Sequence, residues 1–285
     1  MMAQAPRGFP PHFPILAGID FTSSPRPSKP ITLALGRAEP GAVVVIRVEA
    51  LADFASLESW LRTPGPWLGA FDFPFGLPRE LVQDLGWPQR WDDLVRHYAA
   101  LPRAQVRATF AAYCSARPAG QKFAHRACDG PAGSSPSMKW VNPPVAIMLH
   151  AGAPLLLDAD VHLPGLREGD RTRIALEGYP GLLARELIGA RSYKSDDKVR
   201  QTPERRDARV ALIDALASGR SRLDLRLKVS GAQREDLIAD PTGDRLDAVL
   251  CLMQAAWASR QPGFGLPRDV DPLEGWIATA PAAVA

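Results

Sequence analysis

An α/β fold is predicted by three observations on the 285-residue chain. Short apolar runs end on an acidic residue at three places, the first of these runs opens a β-meander, and stretches of helical periodicity separate and follow them. The hydrophobic share of 46% and charged share of 23% are those of ordinary globular chains, and the length is enough to bury a sizeable core. A single domain is expected over residues 15–285. It follows a disordered, proline-rich tail at 1–14 that lacks the continuous apolar core of a signal peptide.

Taken in order, Ile15 to Ile19 reads as a buried strand that delivers Asp20 to its end, with Thr22, Ser23, Ser24 and Pro25 forming the turn beyond. A carboxylate is expensive to bury alone, so Asp20 either bonds to the turn amides or faces a cation. Ile31–Leu35 and Val43–Ile46, separated by Glu39, Pro40 and Gly41, read as two further strands of the meander. Ser56 to Arg62 is a short helix with Leu57, Trp60 and Leu61 on one face, stopped by Pro64, Gly65 and Pro66. Trp67 to Phe71 repeats the first pattern and ends on Asp72, before the Pro74–Pro78 turn.

Arg79 to Arg117 carries helical periodicity through Trp91, Leu94, Val95, Tyr98, Val106, Phe110 and Tyr113. It reads as a helical cap or lid inserted over about 79–150, whose last helix starts at Pro143 and Pro144. Thr172 to Leu176 is the third apolar run, ending on Glu177, and Gly181 to Ile188 is a helix stopped by Gly189. Pro203 to Ala217 has proline at its start and Gly219 past its end, the asymmetry of a helix. Asp244 to Arg260 is amphipathic, with Leu246, Val249, Leu250, Met253 and Trp257 on one side.

Net charge is +3 but unevenly spread: 185–234 holds 13 Lys and Arg against 7 Asp and Glu, and 79–139 holds 9 against 5. Segregated acids and bases suit a metal centre flanked by surfaces that bind a polyanion, or else solvated helix faces. The basic stretch from Lys194 to Lys228, with Arg205, Arg206 and Arg209, is expected to contact phosphates. Cys114, Cys128 and Cys251 have neither the even count of a disulfide framework nor zinc-ligand spacing, which predicts reduced thiols and a cytoplasmic location. His125, His150 and His162 have no partner at metal-ligand spacing. No apolar run is long enough to span a bilayer, so no membrane partner is expected.

Asp244 and Asp247 lie three apart and share a helix face. With Asp20, Asp72 and Glu177 at strand ends, four or five carboxylates can meet at one sheet edge. Left alone they repel; around two divalent cations they become ligands. An oxygen-only set selects Mg²⁺ or Mn²⁺, and two such ions about 3.5–4 Å apart can assist phosphodiester cleavage.

The segments Gly18–Asp20, Phe71–Pro78, Glu177–Pro180 and Asp244–Ala248 resemble, in order and spacing, the motif series of the ribonuclease-H-like nucleases grouped as domain of unknown function 429. The acidic pair followed by Ala248 is also similar to the final helix of Holliday-junction resolvases. The resemblance implies a ribonuclease-H-like mixed sheet, three antiparallel strands then parallel ones, flanked by helices, with Mg²⁺ at the sheet edge. It implies Asp20 and Asp247 as metal ligands, Asp244 as a second helix ligand or water orienter, and either Asp72 or Glu177 as the bridging strand carboxylate. Which of the two strand acids serves stays open.

Each candidate has a structural alternative. Asp72 can form a turn before Phe73 and Pro74, Glu177 can cap the following helix, and Asp244 can be an N-cap after Thr242 and Gly243. Asp247 can pair with an arginine such as Arg245 or Arg173. Lys194 is a contact for a scissile phosphate or a solvated loop lysine; Arg126, Asp129 and Lys139 line a groove or form surface ion pairs. The function implied is a metal-dependent nuclease acting on DNA or RNA by a two-metal mechanism. An actin-like ATPase or sugar-kinase relative is the alternative, with Asp20 to Ser24 imitating a phosphate loop. Its second glycine-rich loop is missing, since Glu177–Pro180 holds one glycine and a proline. A non-catalytic nucleic-acid-binding module is the third reading, and a homodimer is left open.

Overall fold

Strands form where β-branched and apolar residues run unbroken, and helices where apolar residues recur every third or fourth position. The computed structural model describes residues 13–282. It begins with β1 (Ile15–Asp20), β2 (Ile31–Glu39) and β3 (Ala42–Leu51), then α1 (Phe54–Leu61) and β4 (Trp67–Phe71). Five helices follow: α2 (Arg79–Asp84), α3 (Trp91–Ala100), α4 (Arg103–Ser115), the single turn α5 (Asp129–Ala132) and α6 (Val145–Asp158). Strands β5 (Val161–His162) and β6 (Asp170–Glu177) lead to α7 (Pro180–Ile188) and α8 (Pro203–Ala217). The last elements are β7 (Arg226–Lys228), α9 (Gly231–Ala239) and α10 (Asp244–Ala258).

The strands form one mixed sheet in the order β5-β6-β4-β1-β2-β3-β7. β1, β2 and β3 are an antiparallel meander, whereas β4 lies parallel to β1, β6 to β4, β5 to β6 and β7 to β3. β2 and β3 run further than their apolar cores because polar residues such as Arg37, Arg47 and Glu49 continue the pairing on the exposed part of the hairpin. Pro40 and Gly41 close that hairpin, with Gly41 at φ +66° where a side chain would be strained. Residues 1–12 of the expected tail lie outside the described residues, and Phe13, assigned to that tail, is buried 6.4 Å from the Phe264 ring.

Side chains alternate between the two faces of a strand, so each face gathers its own core. Ala17, Ile19, Leu33, Trp67 and Phe71 pack with α1, α3, α4 and α6 on one side. Leu16, Ala34, Leu68, Ala70, Ile174 and Leu176 pack with α7, α8, α9 and α10 on the other. The helical insertion is continuous with the first of these cores rather than a lid. Trp91, Tyr98 and Phe110 are buried in the same cluster as Ile19 and Phe71, Trp91 Nε1 donates to Phe75 O at 2.7 Å, and Tyr98 Oη donates to Ala146 O at 3.0 Å.

On the second face α10 lies directly on β1. A Cβ at Gly18 would stand 2.0 Å from Ala248 O and 2.1 Å from Leu252 N, so the strand and the helix backbone touch only because residue 18 lacks a side chain. Gly36 on β2 extends the same surface, where a Cβ would meet Leu252 Cδ2 at 2.9 Å. Gly18→Ala therefore forces the helix off the sheet. Urea unfolding of this variant should show a loss of about 3 kcal/mol or more, or no soluble protein; stability near the parent's would contradict the packing described.

Candidate metal centre

The sheet register decides which strand acids meet. Ile19 of β1 is opposite Phe71 of β4, and Phe71 is opposite Glu177 of β6, so Asp20 and Asp72 are neighbours one step beyond the pair Ile19 and Phe71. Residues two apart share a face. Asp20 therefore follows Leu16 and Gly18, and Asp72 follows Leu68 and Ala70, onto the side that carries α10. Glu177 has the opposite parity and follows Ala175 toward the first core. The residue of that strand facing α10 is Gly178, where a Cβ would lie 3.0 Å from Cys251 Sγ.

Helix α10 brings the third carboxylate. Its N-cap is Gly243 at φ +76°, and the turn before it is held by Asp240, which accepts from Thr242 N at 3.0 Å and Arg245 N at 2.9 Å. Asp244 is thus the first helical residue and not the cap, because Asp240 already takes the turn amides. Asp247, one turn on, is fully buried, and carboxylate oxygens of Asp20, Asp72 and Asp247 all lie within 4.8 Å of one another. Asp244 lines the same cleft at its edge.

Electrostatics separates these acids. Burial, then the Asp247 and Asp244 carboxylates, hold Asp20 well above the usual carboxylate range. Burial and Asp247 push Asp72 up to about 7, and burial with Asp240 and Asp247 pushes Asp244 up to about 6. Among the described residues no protein donor reaches the carboxylate of Asp20 or of Asp72, and the only cation opposing their charge is Lys194. Asp247 differs: Tyr193 Oη donates to its Oδ1 and Lys194 Nζ to its Oδ2. Its partner is therefore neither Arg245, which is exposed, nor Arg173, which pairs with Asp170 at 2.7 Å. Burial alone would lower the Lys194 ammonium, but Asp247, Tyr193, Asp20 and Asp72 outweigh it and hold it well above its ordinary value.

The Lys194 side chain is half-exposed, but its ammonium is tied to Asp247 rather than free in solvent. Nothing in its polar neighbourhood in the sequence distinguishes it, and Tyr193, which the sequence reading missed, carries no signal of its own beyond adjacency. Cys251 lies one turn after Asp247, and burial together with Asp72, Asp247 and Asp20 raises its thiol well above the ordinary value, which keeps it protonated.

Glu177 is a correction to the expected ligand set. Arg126 donates to both its oxygens at 2.7 Å, and Phe75 N donates to Oε2 at 2.9 Å. Arg126 also holds Asp129 Oδ1 at 3.0 Å and donates to Glu274 O at 3.1 Å. Arg126 lines the cleft over the carboxylates, as the groove reading has it, but Arg126 and Asp129 are 3% and 1% exposed and form a buried ion pair rather than a surface one. A bidentate, buried guanidinium engages both oxygens of Glu177, which lines the cleft but stands outside the close group of Asp20, Asp72 and Asp247. The same ion pair ties the loop before α5 to the end of β6 and to the C-terminal segment, where Ala278 N donates to Glu177 O at 2.8 Å.

The basic stretch is also corrected in part. Arg209 is buried, donating to Ile238 O and Tyr193 O at 2.8 Å each; Arg205 donates to Lys194 O; and Arg222, Lys228 and Arg234 pair with Glu186, Glu39 and Asp214. Arg205 and Arg209 hold the backbone at Tyr193 and Lys194, whereas the other three form ion pairs elsewhere on the molecule. Positive groups do stand near the carboxylates. The cleft over them, about 540 Å³, has Lys29 at its rim, 2.6 Å from Asp196, and a second hollow of about 270 Å³ beyond Asp72 and Tyr179 is lined by Arg185 and Arg191. Lys139 lines neither hollow.

Asp20 and Asp72, with Asp244 and the remaining lone pairs of Asp247, offer oxygen donors only. This hard, anionic set fits Mg²⁺ or Mn²⁺ and suits zinc poorly. Two consequences can be measured. Between about pH 4 and 7 the folded protein keeps protons on Asp72 that the unfolded chain has released, so the contribution of Asp72 to metal-free stability falls as pH rises across that window. Melts in chelator should show this decline, Asp72→Asn should flatten it and melt a few degrees above the parent at pH 7.5, and a parent curve no steeper than the variant's would exclude it. Arg126→Met strands Glu177 and Asp129 in the interior, and urea unfolding should register a loss of about 3–5 kcal/mol.

Comparison of the chain with protein-family models, with curated proteins and with solved structures finds no match, so the chemistry of the centre has to be read from its own geometry.

Proposed function

We propose that the chain is a metal-dependent nuclease of ribonuclease-H-like fold, hydrolysing phosphodiester bonds in DNA or RNA with Mg²⁺ or Mn²⁺. The observation that carries the reading is the convergence of Asp20, Asp72 and Asp247 within 4.8 Å, two of them at parallel strand ends and without a protein donor. Carboxylates so placed are unfavourable unless a cation joins them. A divalent ion there would polarise a phosphoryl oxygen and acidify a water. The chain's own part is to hold Asp20 and Asp72 in register, to fix Asp247 through Tyr193 and Lys194, and to present Lys29 and Arg191 to a phosphate backbone. Three antiparallel strands followed by parallel ones, with acids on the first strand and on the last long helix, support the ribonuclease-H-like assignment. Buried free thiols at Cys114, Cys128 and Cys251 support a cytoplasmic location, and no helix among the described residues is long and apolar enough to cross a membrane.

The kinase-like alternative needs free amides at Glu177–Pro180 to hold a second phosphate group. Gly178 N donates to Phe71 O at 2.8 Å and Tyr179 N to Gln254 Oε1 at 2.9 Å, so those amides are already taken. A purely nucleic-acid-binding role leaves the raised, unpartnered acids without a purpose.

A cleavage screen over single-stranded, duplex, hybrid and branched substrates tests the proposal. Cleavage is expected with Mg²⁺ or Mn²⁺, is abolished by chelator, and falls by orders of magnitude in Asp20→Asn and Asp72→Asn while both variants melt no lower than the parent in chelator. Failure to cut any substrate in either metal would end the reading, and a nucleotide-dependent thermal shift in its place would favour the kinase relative. Asp247→Asn should behave differently, losing about 1.5–3 kcal/mol without metal because it weakens charge-assisted bonds.

A further inference from the structure

Lys194 is fixed from several directions. Its carbonyl accepts from Arg205, the carbonyl before it accepts from Arg209 Nη1 at 2.8 Å, and Ser195 N after it donates to Pro241 O at 3.0 Å. Gln201 Nε2 donates to Ser195 O at 3.0 Å. Its stem lies against Gly243, where a Cβ would come within 2.7 Å of Lys194 Cβ, so the glycine before α10 is needed for this approach as well as for its positive φ. These contacts leave the ammonium on Asp247 Oδ2, while Tyr193 occupies Oδ1. Asp247 thus has a protein donor on each oxygen, whereas Asp20 and Asp72 beside it have none among the described residues.

This asymmetry divides the cluster into a half already balanced by a fixed positive charge and a half still open. Resting on the metal-dependent reading above, we infer that Lys194 takes the place of a second metal ion: the centre binds one divalent cation, through Asp20 and Asp72, and the Lys194 ammonium supplies the other positive charge at Asp247. A small divalent ion of the Mg²⁺ type is commonly held by one or two carboxylates, with waters and substrate phosphate completing its shell, which is what the open half offers. A preorganised ammonium beside it is suited to a developing charge on the phosphate and needs no second ion to be captured. The two-metal arrangement expected from the sequence then becomes one metal and one lysine.

Mn²⁺ titration of the chelator-treated full chain, followed by electron paramagnetic resonance, tests this without any turnover. The expected result is one Mn²⁺ per chain with an uncoupled spectrum, the same stoichiometry in Lys194→Arg, and a second, spin-coupled Mn²⁺ in Lys194→Met, where Asp247 is released. Two coupled ions in the parent would overturn the role of Lys194 and leave the metal-dependent reading standing. No bound Mn²⁺ would overturn both. A well-folded Lys194→Met that still binds a single ion would show that the ammonium was not standing in for a metal. If that variant does not fold, the parent and Lys194→Arg stoichiometries decide, two ions in either counting against the inference.

Discussion

The contact between Gly18 and the backbone of α10 at Ala248 and Leu252 sets the geometry on which the centre depends. A strand and a helix usually keep their distance through side chains; here the absence of one lets the helix rest on the strand itself. Because Asp20 is two residues beyond Gly18 and Asp247 directly precedes Ala248, the same approach that closes the second core also brings the two carboxylates together. Leu246, Val249, Leu250 and Met253, all fully buried, lock the helix there, so the acids cannot relieve their repulsion by moving apart. Packing energy elsewhere in the core sustains an arrangement that is locally unfavourable.

Buried charge appears in two forms in this chain. Around Arg126, the guanidinium is shared among Glu177, Asp129 and the Glu274 carbonyl, and its removal would leave carboxylates in the interior. Around Asp20 and Asp72 no protein donor meets the carboxylates, and the Lys194 ammonium opposes their charge only from its place on Asp247. The first arrangement joins three chain segments through its own partners; the second leaves two carboxylates without a protein donor. Glu177 and Asp72 both close apolar runs on neighbouring strands, but Glu177 is level with Phe71 and faces the other side of the sheet, where Arg126 meets it.

That distinction marks the limit of what was legible in the sequence. The apolar runs ending on Asp20, Asp72 and Glu177, the meander, and the helices at Pro203–Ala217 and Asp244–Ala258 follow from local pattern, and the structure has them. Choosing between Asp72 and Glu177 needs the strand register, a non-local quantity that the parity of one short run does not reveal. The basic stretch misled because charge composition does not say whether a guanidinium faces solvent or a carbonyl, and Arg209 faces carbonyls. Strand β7 is too short to show alternation. Helix α9, by contrast, had a readable start in Ser230 and Gln233, which form a capping box.

The placement of Asp20 at the end of β1 and of Asp72 just past the end of β4 also says where this chain can change in length. Residues added after either acid enter a loop or the helical insertion, whose size has no bearing on where the carboxylate points. A single residue added within Trp67–Phe71 would turn Asp72 to the face now occupied by Phe71, and would do so without altering the composition of the strand. Growth is tolerated downstream of each acid and forbidden upstream of it, so variation in chain length among descendants of this fold should collect on the cleft side of the sheet, where it leaves the carboxylates in place.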